Sequence, residues 1–418
     1  GLVGSEMCIR DRLYSGLSAQ QMSVLSTDST YNIVRELQEV VVTAEKRELN
    51  PGDIPTALTV ITPRSIPGEN NPDLRNISGI VPNFYMQEGG LKLSTPLYIR
   101  GIGTVSGTPP VGLYVDGVPV FDKNAFVFDL YDIRQIEVLR GPQTTLYGRN
   151  SINGLININT NPPSNVFAAQ VKIGYSSYRS QNYNLVLNLP WKRLYNKLSF
   201  SYNKSEGYFK NHYEQDRKSN PSDSYNIRYQ GNVFTGNNWE IGFGINFNHS
   251  FDGGYAYAAI DSLKVHRYTV NYNIPSSYKR DLLSSYLNLK KKWQRLAFNT
   301  VTSYSRTQDR QMLDADFTYL DVFDNGKKSR QNLLTQEFNI QSNENRHVDW
   351  TVGAFGFYKD LTNRYLATFG KDKAYLLPMA LDNAKYHNNT VTWGIAGYGQ
   401  VTLKEIWPGM SLTAGLRY

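Results

Sequence analysis

Residues 239–251 read WEIGFGINFNHSF, and the alternation in this stretch decides the fold. Trp239, Ile241, Phe243, Ile245, Phe247 and Phe251 fall on one side, while Glu240, Gly242, Gly244, Asn246, Asn248 and Ser250 fall on the other. Successive side chains of a strand point to opposite faces, so a strict period of two is a strand with one apolar and one polar face. The same pattern recurs along the chain after residue 165. It appears at Val171, Ile173, Tyr175; at Tyr183, Leu185, Leu187, Leu189; at Ile227, Tyr229, Val233; at Val348, Trp350, Val352, Ala354; and at Val391, Trp393, Ile395. Counted this way, the chain holds about eleven such strands.

The connections between them alternate in length. Residues 190–196, 235–238, 293–295 and 343–346 are tight, whereas those near 210–222, 252–278, 308–328 and 363–389 are long and polar. Short turns at one end and long loops at the other characterise an outer-membrane β-barrel. A soluble sandwich or propeller also alternates, but it buries its apolar face on a second sheet and commonly has loops of similar length at both ends. Here the opposite face is rich in Asn, Gln, Gly and Ser, as suits a wet lumen.

Composition agrees with this reading. The chain has 418 residues, 30 of them tyrosine and 33 glycine, with only 19% charged. It has no apolar run of roughly eighteen residues, which excludes a helical membrane span. The net charge of +8 comes from Lys and Arg scattered through strands and loops, with no dense run of the kind that tracks nucleic acid. Cys8 is the single cysteine, so neither an internal disulfide nor a cysteine-based metal site can form. His212, His249, His266, His347 and His387 lack metal-ligand spacing, and no GxSxG or Cys-His arrangement offers a nucleophile with its base. Gly101-Ile102-Gly103 hints at a dinucleotide fingerprint, but Ser106 occupies the third glycine's place and no helical pattern follows. No catalytic group, metal site or cofactor is expected.

Four regions are expected. Residues 1–38 form a flexible or artefactual lead-in, because the opening GLVGSEMCIRDR resembles a translated sequencing adaptor and lacks the apolar centre of a signal peptide. Residues 39–50 hold a lone β-branched run, Glu39, Val40, Val41, Val42, Thr43 and Ala44, followed by charges and the loop residues Asn50-Pro51-Gly52. Residues 51–164 form a compact mixed α/β domain, with strands at 56–61, 97–101, 112–120, 133–140 and 154–160 and a short helix at 71–80. Residues 165–418 carry the alternating strands.

The motifs before residue 165 resemble those of the TonB-dependent outer-membrane receptor family. EVVVTA at 39–44 is similar to its TonB box, and YIRGIG at 98–103 to its central plug strand. VGLYVDGVPV at 111–120 and IEVLRGPQTTLYGRNSINGLININT at 136–160 resemble the remainder of the plug signature. The resemblance implies a mixed α/β plug domain filling an antiparallel transmembrane β-barrel of about 22 strands. This chain, stopping inside a strand at 412–418, would supply about half of it.

Function and partners follow from the same resemblance. It implies active import of a bulky scarce solute across the bacterial outer membrane, with a ferric siderophore foremost and cobalamin, haem or an oligosaccharide as alternatives. A passive porin or an outer-membrane enzyme is the reading from another class. The implied partners are TonB with its inner-membrane energising complex, the solute or metal chelate, and outer-membrane lipid. Residues 39–44 would add as a strand to the sheet of TonB through unpaired backbone groups. Arg100 and Arg140 would pair with glutamates of the barrel wall, or alternatively with Glu137 or Asp132 within the plug. The plug loops 87–94, 103–111 and 121–126 would form an outward apex. There Tyr85, Gln87, Lys92, Thr104, Ser106, Phe121 and Lys123 either meet the solute or are solvated turns.

Overall fold

The computed structural model describes residues 41–43, 45–66, 73–86, 95–104, 108–126, 130–215, 217–254, 257, 268–343, 347–375 and 382–418. Its N-terminal part contains the strands β1 Ala57–Ile61, β2 Phe84–Met86, β3 Leu97–Ile99, β4 Ile102–Thr104, β5 Val111–Val115, β6 Val118–Val120, β7 Ile133–Arg140 and β8 Gly154–Thr160. Five of them form one sheet in the order β1-β7-β8-β5-β6, in which β5 and β8 run parallel and the other pairs are antiparallel. The strands β2, β3 and β4 make a separate three-stranded meander. Ile61, Leu113, Ile136, Val138, Ile156 and Ile158 from the five-stranded sheet meet Phe84, Leu97 and Ile99 from the meander in one apolar core, closed by Leu74, Ile77 and Phe126.

The helical share of this part is smaller than the sequence suggests. Among the described residues the single α-helix is the one-turn Thr144–Tyr147, and the helix expected over 71–80 is a 3-10 segment, Leu74–Gly79. Residues 71 and 72 lie outside the described residues. Leu74 and Ile77, three apart, are the two buried positions of the segment, which matches three residues per turn. Asn76, Ser78 and Gly79 are poor formers of an α-helix, while Asp73 caps the start by accepting from the Arg75 backbone N–H.

The second part is an eleven-stranded antiparallel sheet. Its strands are β9 Ala168–Ser176, β10 Ser180–Trp191, β11 Leu194–Ser205, β14 Ser222–Phe234, β15 Trp239–Gly253, β17 Ser277–Lys292, β18 Leu296–Asp314, β19 Phe323–Ser342, β20 Val348–Phe369, β21 Ala384–Trp407 and β22 Met410–Arg417, each beside its neighbour in sequence. The two-residue strands β12 Lys210–Asn211, β13 Arg217–Lys218 and β16 Thr269–Val270 pair with each other in the connections after β11 and β15. The expected fold class is the one observed.

Burial in this sheet is inverted relative to a soluble protein. Asn182, Asn184, Ser199, Ser201, Asn203, Gln230, Asn248, Ser303 and Thr335 are buried, while Ile245, Phe338, Val352 and Trp393 are exposed and Ile395 is 83% exposed. A face this apolar and this extensive is stable only against hydrocarbon. The tight-turn end supports that placement. Trp191, Trp239, Trp293, Trp350 and Trp407, five of the six tryptophans, stand within a few residues of those turns, at the level where aromatic girdles meet lipid headgroups.

Two of the long connections are shorter than the sequence suggests. The strands β18 and β19 continue to Asp314 and from Phe323, which leaves 315–322 as the loop, and β20 and β21 run for 22 and 24 residues. A strand crosses the bilayer in about 9–11 residues, so these ladders project well beyond it. Both faces are then wet, the apolar alternation ends, and backbone pairing continues without it.

Candidate functional site

The plug's sheet and the polar face of the large sheet meet along a set of buried polar contacts, and the start of the described chain is tucked into one end of them. Val42 is fully buried, and its N–H and C=O both bond to Leu49 at 2.9 Å, closing a small hairpin through the turn at Lys46. Gln135 donates from its amide to the Val41 carbonyl at 2.9 Å. Thr43 donates to Glu137 from its N–H at 2.9 Å and from its hydroxyl at 3.2 Å. The fully buried Glu137 carboxylate also accepts from Gln135, Asn157 and Asn159 at 2.6, 2.9 and 2.9 Å. This buried charge is therefore held by neutral donors, each such bond contributing roughly 1.5–3 kcal/mol.

The backbone of Val42 is thus paired and not open for strand addition in this state, which corrects the expectation of unpaired groups along the run. The physical reason is that a buried, unpaired backbone group costs about as much as a lost hydrogen bond, so the segment takes the partners its own chain supplies. Glu39, Val40 and Ala44 lie outside the described residues.

Immediately downstream, the chain reaches the barrel wall. Lys46 pairs with Glu337 of β19, and its ammonium lies 4.8 Å from the Tyr147 ring centre and 5.1 Å from that of Tyr398. Burial pulls the Lys46 ammonium below the ordinary lysine value, opposed by the Glu337 charge. Tyr398 donates to Glu337 at 2.5 Å. Its ring lies over Gly353, the residue opposite on β20, where a Cβ would collide with it. Arg47 reaches Asp349 of β20 at 3.2 Å, and Lys404 shares that carboxylate at 2.6 Å. Burial also raises the Glu45 carboxyl, and burial pushes the Tyr147 phenol well above its usual value.

A second seam lies at the tip of the β5–β6 hairpin. Lys197 of β11 forms a buried pair with Asp132 at 2.6 Å, and Ser199 donates to the same carboxylate at 2.7 Å. Asp116 accepts from the Thr160 N–H and hydroxyl at 2.8 and 2.9 Å and from Gln230 of β14 at 3.2 Å.

Arg100 and Arg140 do not make the expected pairs: among the described residues neither forms an ion pair. Arg100 is exposed, and Arg140 donates to the Pro82 carbonyl at 3.2 Å with its Nε buried and unpartnered. Their suggested acceptors are engaged elsewhere. Asp132 holds Lys197, Glu137 holds Thr43 and its amides, and on the wall Glu337 and Asp349 are occupied by Lys46, Arg47 and Lys404. The plug–wall pairs thus come from Lys46 and Arg47, which the sequence shows only as charges after a β-branched run, and from Asp132 with Lys197 of β11. Glu337 and Asp349 carried a readable signal, since each is an acid at a lumen-facing position of an alternating strand.

The strand registers bring the three anticipated loops to one end of the plug. Met86, Leu97 and Thr104 are successive partners in the meander, so the chain leaves β2, enters β3 and leaves β4 on the same side. Leu113 pairs with Val120, which puts the segments before β5 and after β6 together, opposite the hairpin tip at Asp116. That tip contacts Gln230, near the tight-turn end of β14, so the loops face the long-loop end. Tyr85 is 48% exposed and lies against Tyr98 with ring centres 6.1 Å apart, and Thr104 is half-buried. Phe121 packs edge-on to Phe357 of β20 at 5.4 Å, with the Arg149 guanidinium 5.7 and 5.4 Å from the two ring centres. Arg149 and Phe357 were not anticipated. Gln87, Lys92 and Ser106 lie outside the described residues, as does the Lys123 side chain, although its backbone opens the 3-10 segment Lys123–Phe126.

Residues 50–155 match the TonB-dependent Receptor Plug Domain family. The pesticin receptor of Yersinia pestis is 36% identical over 107 residues, which is 24% of this chain and 16% of that protein. The vitamin B12 transporter of Vibrio vulnificus is 28% identical over 174 residues, covering 40% of this chain and 28% of the transporter. In fold, the chain is similar to the ferric yersiniabactin uptake receptor of Yersinia pestis, with a TM-score of 0.76 and 20% identity over 87% of this chain and 56% of that structure. It is also similar to the ferripyoverdine receptor of Pseudomonas aeruginosa, with a TM-score of 0.72 and 13% identity over 90% and 53%. The chain therefore spans little more than half of these structures, and the sequence matches cover a smaller share of their relatives.

Proposed function

We propose, from the premise that this chain belongs to the TonB-dependent receptor family, that the whole protein is an outer-membrane receptor that actively imports a ferric siderophore. The observation that carries this reading is the occupied lumen. An eleven-stranded sheet with an apolar outer face has its polar face covered by a separate domain with a core of its own, joined through buried ion pairs and hydrogen bonds. A passive porin needs no such plug. A solute can pass only if the plug is moved, and that takes work from outside the barrel.

TonB would supply that work by pulling on residues 39–44. Val41, Val42 and Thr43 would be the part of its attachment strand that is stowed against Glu137, while Lys46 and Arg47 tie the stowed segment to the wall. Arg100 and Arg140 would not serve as the latch in this arrangement. The solute would be met at the long-loop end by Tyr85, Thr104 and Phe121, with Gln87, Lys92, Ser106 and Lys123 on the same loops and Arg149 beside Phe121. Aromatic faces and a guanidinium suit an anionic, ring-bearing chelate. The siderophore class is favoured by the yersiniabactin and pyoverdine receptors among the structures of like fold. The vitamin B12 transporter's match keeps cobalamin as the second reading.

The test is uptake by cells that express the full-length gene and lack their own receptors. Radiolabelled ferric siderophores should accumulate only when TonB is present, and Val41→Pro, which removes a backbone donor, should abolish uptake while leaving solute binding nearly intact. Accumulation of cobalamin without iron complexes would replace the solute class. Uptake that persists without TonB would overturn the mechanism.

A further inference from the structure

At the tight-turn end, the connection from β17 to β18 differs from the others. With the end of β17 it reads Lys290-Lys291-Lys292-Trp293-Gln294-Arg295, and of these four cations Lys291 and Arg295 stand beside an open groove of about 550 Å³ lined by Trp293, Gln294, Arg295, Leu296, Phe298 and Ile340. Leu296 and Phe298 alternate on the outer face of β18, and Ile340 stands opposite Phe298 on β19, so the groove opens on the lipid side. Lys291 belongs to the same outer face of β17. Its ammonium is held between two indoles, 4.9 Å from the Trp239 ring centre and 5.1 Å from that of Trp293.

The turn is anchored. The Asn343 amide donates to the carbonyls of Trp293 and, at 2.9 Å, Gln294, its backbone N–H donates to Arg295 at 3.0 Å, and the Trp293 N–H donates to Leu296 at 2.8 Å. The acids that face the cluster compensate little of its charge. Glu240 is 3.9 Å from Lys290 on the lumen face, and Glu48 is 3.9 Å from Lys292 with both side chains largely exposed.

An apolar groove with cations at its mouth, a lysine clamped by indoles and an exposed guanidinium has the chemistry of an acyl chain beneath a phosphate. Tryptophan settles at headgroup depth, lysine reaches up along its apolar stem, and arginine meets phosphate with a planar fork. We propose that the β17–β18 turn is a binding site for an anionic phospholipid of the periplasmic leaflet. The phosphate would lie between Lys291 and Arg295, and one acyl chain would run over Leu296, Phe298 and Ile340. This rests on the outer-membrane placement of the sheet and goes beyond the transport reading.

The full-length receptor in mild detergent, offered dioleoyl phosphatidylglycerol and dioleoyl phosphatidylcholine in equal amounts, should retain phosphatidylglycerol preferentially in native mass spectrometry. The preference should amount to roughly fivefold per cation, the factor that corresponds to about 1 kcal/mol for each basic group near an anionic headgroup. The double variant Lys291→Ser/Arg295→Ser should lose it, and Lys192→Ser/Arg193→Ser, at the β10–β11 turn beyond the intervening β14–β15 turn, should keep it. Equal retention of both lipids, or a preference untouched by the first variant, would overturn the site. Brominated lipids separate this from the membrane reading. Quenching of Trp293, measured as the difference from Trp293→Phe, by both lipids alike would leave the barrel in its bilayer and sink only the site. No quenching by either would remove the membrane placement itself.

Discussion

The plug and the eleven-stranded sheet are both built from extended strands, but β7 and β8 of the plug are buried on both faces while the eleven-stranded sheet buries mainly its polar face. In the plug, Ile136, Val138, Ile156 and Ile158 are fully buried beneath the meander. In the large sheet, Asn203, Gln230 and Asn248 are buried while Ile245, Phe338 and Ile395 are exposed. The strand geometry is shared, so the difference lies in the solvent each face meets: water surrounds the plug's core, and hydrocarbon surrounds the barrel's apolar face. The interface between the two parts is largely polar, held by hydrogen bonds and ion pairs, with aromatic packing where Tyr398 meets Leu139, Leu146, Tyr147 and Leu155 and where Phe121 meets Phe357.

The largest expected effect tests the plug's half of this contrast. Phe126→Ala empties a fully buried site and should lower the plug's stability by about 3–5 kcal/mol, read from hydrogen exchange of the β7 and β8 amides in the full-length protein. A cost under 1 kcal/mol would mean that the plug core is not the unit that stabilises it.

The barrel's half is tested by Phe338→Arg, at a position 47% exposed on the outer face of β19. In a bilayer this should cost about 2–4 kcal/mol, measured by reversible unfolding from lipid vesicles. Equal stability of wild type and variant there would remove hydrocarbon from the explanation.

The seam between the two should yield more easily than either. Thr43→Val withdraws the hydroxyl bond to Glu137 and should weaken docking of residues 41–47 by roughly 1.5–3 kcal/mol. The expected readout is stronger capture by the periplasmic domain of TonB in the absence of solute. Unchanged capture would show that Glu137 does not restrain the segment. The smallest effect belongs to the loop end. Tyr85→Ala with Phe121→Ala should weaken solute binding about tenfold, or about 1.4 kcal/mol, by titration of the full-length receptor. Unaltered affinity would move the solute to the external loops and wall.

Much of the architecture could be read from local pattern. Residues 133–140 and 154–160 are the strands β7 and β8 without a shift, and the alternation at 239–251 belongs to a strand that ends at Gly253. Local pattern was less informative where both faces are wet: the extensions of β18 through β21 carry no apolar period, and were expected to be loops. The plug motifs located the candidate site but not its contacts. Arg100 and Arg140 stand out in those motifs, yet the plug–wall pairs are made by Lys46, Arg47 and Asp132.

What the sequence determined by itself is the set of two-faced strands, their order, the end that carries the tight turns, and the plug that precedes them, because each follows from residues close together in the chain. Only the tertiary structure decided which polar groups meet. Thr43 finds Glu137 across 94 positions, Lys46 finds Glu337 across 291, and Gln400 reaches Glu45 across 355. A strand's period says that a side chain faces the lumen; its partner there depends on register and docking, where a shift of one residue would turn every lumen-facing group toward lipid.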